Sequence, residues 1–183
     1  TFVSREKAEN IFDQLEKEKR NKGYQSEIEV FVELPSLDAL NMNSAEGVIL
    51  KRLEDATQGI NSFKTEWKTS RVIWKAAQMK INEAVPYILK LATKGSEMHL
   101  YAAVFAIRTL KITQASELLY SIARSSRHKK YIRNVAFDAL LAISDTSGLE
   151  KIVSELLESL PSEIKDFIDQ GNYDGLKQYY FQK

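Results

Sequence analysis

Apolar residues recur every three to four positions along most of this chain, and between Asn82 and Ile143 the recurrence itself repeats. Val85, Ile88, Leu89 and Ala92 stand at i, i+3, i+4 and i+7, the spacing of one buried helix face. A shift of 31 residues carries that set onto Ser116, Leu119, Tyr120 and Ala123. A shift of 30 carries Phe105, Ala106, Ile107 and Leu110 onto Val135, Ala136, Phe137 and Leu140. The pattern predicts two helix-turn-helix units, 82–92 with 100–110 and 113–123 with 131–143. Paired helices at such a period stack as an α-solenoid, in which each pair buries its apolar face against the next.

The flanks extend this reading. Ser44 is placed to cap a helix carrying Val48, Ile49, Leu50, Leu53 and Ala56, with Gly59 ending it. Phe63, Trp67, Trp74, Ala77 and Ile81 continue at helical spacing, with a break or recap expected at Thr69 and Ser70. Trp74 to Ala77 overlays the later second helices at the same shift, so residues 44–80 read as a divergent first pair that also caps the stack. Trp67 and Trp74, seven apart on one stripe, are read as core aromatics rather than as base-stacking groups. Pro86 falls in a helix's first turn, where no backbone hydrogen bond is lost. After Ser144, Leu149, Ile152, Val153, Leu156 and Leu157 mark another helix. Pro161 opens a further one with Ile164, Phe167 and Ile168, stopped at Gly171, and Leu176, Tyr179, Tyr180 and Phe181 are expected to plug the open end.

Before the repeats the pattern changes. Ser4 opens a helix with Ala8, Ile11, Phe12 and Leu15 on its apolar stripe, and Gly23 is placed to close it. From Glu27 to Leu34 the apolar positions alternate with Glu27, Glu29 and Glu33, a strand-like period ended by Pro35. In an otherwise helical chain this is read as an extended linker laid along a neighbour, with a strand completing a missing sheet as the alternative. The chain begins at Thr1 in structured-looking sequence, which suggests a fragment of something longer.

Composition adds little to this picture, and charge adds more. At 183 residues, with 44% hydrophobic and 28% charged, the chain has the balance of an ordinary globular protein. It has no cysteine, hence no disulfide or thiolate metal site, and a cytoplasmic setting is expected. No apolar run approaches a membrane span, and no signal-peptide pattern is present. The net charge of +1 hides an asymmetry: residues 1–59 hold eight Lys/Arg and twelve Asp/Glu, residues 60–143 fourteen and five, and residues 144–183 four and eight. The middle is therefore +9 between two ends of −4 each, and a phosphate-bearing partner would feel that middle.

Two resemblances follow from particular residues. Thr1-Phe2, Ala8, Phe12, the acidic-basic run to Lys19, and Lys22-Gly23-Tyr24 look like the last helix of a WGR domain. The Ala84-Val85-Pro86 pattern with Leu89, then Ala103, Ala106 and Leu110, resembles HEAT repeats, as does the run from Ile132 to Leu140. Together they resemble the bacterial molybdate-metabolism-regulator proteins, which implies a regulatory role without establishing a molybdate site. The expected fold is thus all-α: a HEAT-like α-α superhelix, a right-handed solenoid of about three helical pairs with an extra N-terminal helix. Its expected divisions are 1–25, the WGR-like terminal helix; 26–43, an extended linker and short helix; and 44–183, the repeats with an acidic C-terminal cap.

The sharpest candidate cluster runs from Arg124 through Arg127, Lys129 and Lys130 to Arg133. With Arg71 and Lys75 on an earlier helix and Arg108 and Lys111 between, these side chains are expected to line one ridge and meet nucleic-acid phosphates without reading sequence. Singly, each is an ordinary solvated side chain. His99 and His128 have no metal-ligand neighbour at i+3 or i+4, so no metal site is expected, and no cofactor motif is found. No HExxH, phosphate-cradling glycine loop or nucleophile elbow is present. An enzyme would need a site assembled by tertiary contact, as in DNA glycosylases of HEAT-like architecture, which the chain resembles in architecture and basic charge alone. The expected function is a non-catalytic interaction module contacting DNA or another phosphate-bearing partner, with a protein-binding scaffold as the alternative.

Overall fold

The computed structural model describes residues 34, 44–60, 66–156 and 158–182. Among these the chain is helical throughout, with nine α-helices, two single-turn 3₁₀ segments and no strand. The expected N-terminal helix at 1–25 lies outside the described residues, as does the 26–43 linker except for Leu34, which packs half-buried against the core.

The helices come in pairs. Helix α1 (Ala45–Thr57) pairs with α2 (Glu66–Gln78), α3 (Val85–Lys94) with α4 (Glu97–Leu110), and α5 (Ser116–Arg124) with α6 (Lys130–Ala142). The second helices pack on one another in sequence, α2 on α4 and α4 on α6, while α1 packs on α3. Helix α7 (Ser147–Leu156) continues the first-helix row against α5, and α8 (Ser162–Asp169) and α9 (Asp174–Gln182) follow. This is the stacking that the 30–31-residue period predicts.

Local chemistry accounts for the helix ends. The Ser44 hydroxyl accepts from the Gly47 N–H at 2.9 Å and caps α1, and Ser96 caps α4 through the His99 N–H at 3.4 Å. Thr69 and Ser70, where a break was expected, lie buried within an unbroken α2; tertiary packing overrides their weak helix preference. The turns leaving α2 and α4 are one structure built twice. Lys80 and Lys111 adopt the left-handed conformation, with φ of 56° and 52°. The Ile81 N–H donates back to the Ala76 carbonyl at 3.1 Å, and the Ile112 N–H to the Ile107 carbonyl at 3.0 Å. These are Schellman closures, and a 3₁₀ turn follows each, Asn82–Ala84 and Thr113–Ala115. Ile81, Ile112 and Ile143, each 31 residues from the next, are buried at corresponding places. Each such burial stabilises by about 1.5–3 kcal/mol.

One core runs the length of the stack, from Leu50 and Leu53 through Ile73, Ile88, Ile107 and Leu119 to Phe137, Leu140 and Ile152. The α6–α7 junction departs from the earlier turns. Ser116, buried at the start of α5, accepts from the Gly148 N–H at 3.0 Å, tying α7 to α5. Gly148 permits this approach: a Cβ there would lie 2.7 Å from Leu140 Cδ2 and 2.9 Å from the Ser116 carbonyl oxygen. At the C-terminal end Tyr180 and Phe181 close over Phe137, with ring centroids 5.5 and 5.7 Å away.

Candidate nucleic-acid interface

Among the described residues no buried side-chain nitrogen or oxygen lacks a hydrogen-bond partner, and no three His, Cys, Asp or Glu gather as metal ligands. No helix there is long and apolar enough to cross a membrane. Candidate chemistry therefore has to be sought on the surface, and the second-helix row α2, α4, α6 carries most of it.

The predicted basic residues divide into three groups. Arg71 and Lys75 on α2, Arg108 on α4 and Lys130 at the start of α6 are exposed on the second-helix row. Lys111 and Arg127 are exposed in turns, at the end of α4 and between α5 and α6. Arg124 and Lys129 are also exposed but form ion pairs, and Arg133 is half-buried within the fold. Arg124 meets the Glu155 carboxylate at 3.0 Å, and Lys129 meets Glu97 at 2.7 Å. That pairing with Glu97 holds the Lys129 amine above its usual pKa. Arg133, half-buried, donates from Nε to the Ala123 carbonyl at 2.9 Å and lies over the Phe181 ring at 5.5 Å. The 124–133 run thus presents Arg124, Arg127, Lys129 and Lys130 at the surface, Arg124 and Lys129 within exposed ion pairs, while Arg133 braces the α5–α6 turn and the C-terminal closure.

His128 belongs to the same turn. Burial pushes its imidazole below the ordinary 6.5, Glu97 opposes this, and Arg127 and Arg133 add to it. The ring therefore tends to be neutral and contributes packing rather than charge. Burial holds the Tyr180 phenol above its ordinary pKa of 10.0, against the charge and then the hydrogen bond of Arg133.

The surface between the exposed cations is aromatic. Trp74, read from its spacing as a core residue, is 38% exposed. Its indole stacks on Phe105, with centroids 4.8 Å apart at an interplanar angle of 23°, and tilts against Tyr101 at 6.4 Å. Tyr101 in turn meets Tyr131 edge-on at 5.7 Å, and Tyr131 is 45% exposed. Four rings on three helices form one continuous row. Trp74 and Phe105 are 31 residues apart and Tyr101 and Tyr131 are 30 apart, so the solenoid period brings equivalent positions together. Spacing alone missed this because a seven-residue interval places two residues on one face without saying which face is covered. The repeat shift held the usable signal: an aromatic recurring at equivalent second-helix positions.

Helical spacing sets cations beside this row. Arg71 is one turn before Trp74, Lys75 is adjacent to it, Arg108 is one turn after Phe105, and Lys130 precedes Tyr131. Two acids on these helices are already matched, Glu97 with Lys129 and Asp138 with Lys177. The face can therefore offer charge-assisted hydrogen bonds to an anion and flat rings to an aromatic ligand. No protein-family model, curated protein or solved structure matches the chain.

Proposed function

We propose that this chain is a non-catalytic interaction module of HEAT-like superhelical architecture, and that its second-helix face contacts nucleic-acid phosphates. In this reading it serves a bacterial regulatory or DNA-associated protein, the setting that the WGR-like and regulator-like residues suggest. One observation carries the reading: Arg71, Lys75, Arg108 and Lys130 are exposed on consecutive second helices. Such a row neutralises successive phosphates without reading bases. Arg127 and Lys111 lie at its borders and extend the positive field.

A protein-binding scaffold is the second reading, and Met98 favours it, being 46% exposed on α4 near the aromatic row. Fluorescence anisotropy of labelled DNA and RNA, titrated with the full chain across a salt series, separates the two. Affinity that falls steeply with salt supports phosphate contact. Absence of binding at low salt, or affinity indifferent to salt, rejects it.

A further inference from the structure

Phosphate contact alone leaves the aromatic row without a role. Cations suffice for a duplex, whose bases are stacked and paired inside, so exposed rings add nothing to duplex backbone binding. Rings set among cations match instead a strand whose bases are free to stack on side chains. Four features of the face point the same way. Trp74 and Tyr131, on the outer two of its three helices, are large apolar residues left exposed, at 38% and 45%. Each is held by a ring on the neighbouring helix, Trp74 stacked on Phe105 and Tyr131 edge-on to Tyr101, so little side-chain freedom remains to be lost on binding. Exposed cations flank both in sequence, Arg71 one turn before Trp74, Lys75 just after it and Lys130 just before Tyr131. The matched acids Glu97 and Asp138 add little net negative charge to repel a polyanion.

We propose that the Phe105–Trp74–Tyr101–Tyr131 row is a base-stacking platform, which makes single-stranded nucleic acid the ligand of this face. Trp74 and Tyr131 each receive one unpaired base, while the flanking cations hold the phosphates between and beside them. Every base has a π-face, so the site tolerates many sequences and selects for unpaired strands. This inference rests on the phosphate-binding reading above and adds the state of the strand to it.

The test uses the full chain at about 50 mM salt with three labelled probes of about 12 nucleotides: oligothymidylate, an abasic oligonucleotide of equal length, and a duplex. Oligothymidylate is expected to bind about tenfold more tightly than the abasic strand, because only the bases differ. It is also expected to bind more tightly than the duplex, despite the duplex's greater charge. Trp74→Ala and Tyr131→Ala should each weaken oligothymidylate about tenfold and leave the abasic strand unchanged, with Trp74→Phe retaining most of the affinity. Melting curves establish that each variant is folded; if Trp74→Ala is not, the Tyr131→Ala variant and the probe comparison on the unaltered chain decide. Equal binding of oligothymidylate and abasic strand overturns the stacking platform and leaves phosphate contact standing. Failure of all three probes to bind overturns both.

Discussion

The two helix rows of this molecule are built from the same period and treat charge in opposite ways. The first helices, α1, α3, α5 and α7, carry six Lys/Arg and six Asp/Glu, whereas α2, α4 and α6 carry six and three. The first row satisfies much of its charge internally: Lys51 bonds Glu54 at 2.7 Å and Asp55 at 3.2 Å, and Lys151 spans from α7 to Glu117 on α5. Glu155 accepts from the Tyr120 hydroxyl at 2.6 Å while meeting Arg124. The second row keeps exposed cations and a line of rings. A helical stack needs only an apolar seam between its rows, so its outward faces are open to other uses. Here one face carries equal numbers of acids and bases, and the other an excess of exposed bases beside its rings.

The largest expected effect comes from the seam that both rows share. Phe137 is fully buried and touches the closing Tyr180 and Phe181, so Phe137→Ala should cost about 3–5 kcal/mol and lower the melting temperature by about 10 °C. A shift of only a degree or two in calorimetry would mean the C-terminal closure is not part of the cooperative core. The second test sets row against row. Lys75→Gln combined with Lys130→Gln should weaken nucleic-acid binding about tenfold at low salt and reduce the log–log salt slope by about 0.7–0.9 per lost contact. Lys51→Gln combined with Lys151→Gln on the first row should leave affinity unchanged; equal losses in the two pairs would erase the distinction between faces.

The third test probes the first row by pH. Burial, and then the hydrogen bond to Glu155, push the Tyr120 phenol from 10.0 up to about 12. The fold thus holds this proton more tightly than the unfolded chain does. The stabilisation is complete below pH 10 and is lost as pH rises through about 12. In a tyrosinate absorbance titration, Glu155→Gln should bring this ionisation to lower pH while leaving it above 10, because burial is the larger cause. No movement would show that Glu155 does not hold the phenol in solution. The smallest effect concerns Lys111, whose left-handed backbone costs a non-glycine residue about 1 kcal/mol. Lys111→Gly should raise the melting temperature by about 2–4 °C, and a decrease would show that its side chain outweighs the backbone strain.

The stacked pairs were legible in the sequence because burial on one helix face imposes a spacing, and repetition makes that spacing recur. Ser44 as a cap and Pro86 in a first turn were legible for equally local reasons. The face was harder to read. Arg124 and Lys129 are as exposed as their neighbours in the basic run, yet each meets an acid from elsewhere in the chain, Glu155 and Glu97, and Arg133 is half-buried against the Ala123 carbonyl. Trp74 shows the converse: a large aromatic at helical spacing satisfies a core pattern, and only the neighbouring helix decides how much of it is covered. Turns gave the least warning, since lysine stands at two positions where glycine would have announced the left-handed geometry.

Those two lysine turns also make the molecule divisible. The chain leaves α2 and α4 along matching paths, so the ends of residues 81–111 arrive at equivalent joints. A chain joined directly from Lys80 to Ile112 would place an isoleucine and a 3₁₀ turn after the left-handed lysine, as each joint does now. Removing one unit, or inserting a copy, is expected to need no new linker, and a melting curve of the chain lacking residues 81–111 checks it: loss of the cooperative transition would show the joints are not interchangeable. The reach of the face then becomes a matter of how many units are spliced together.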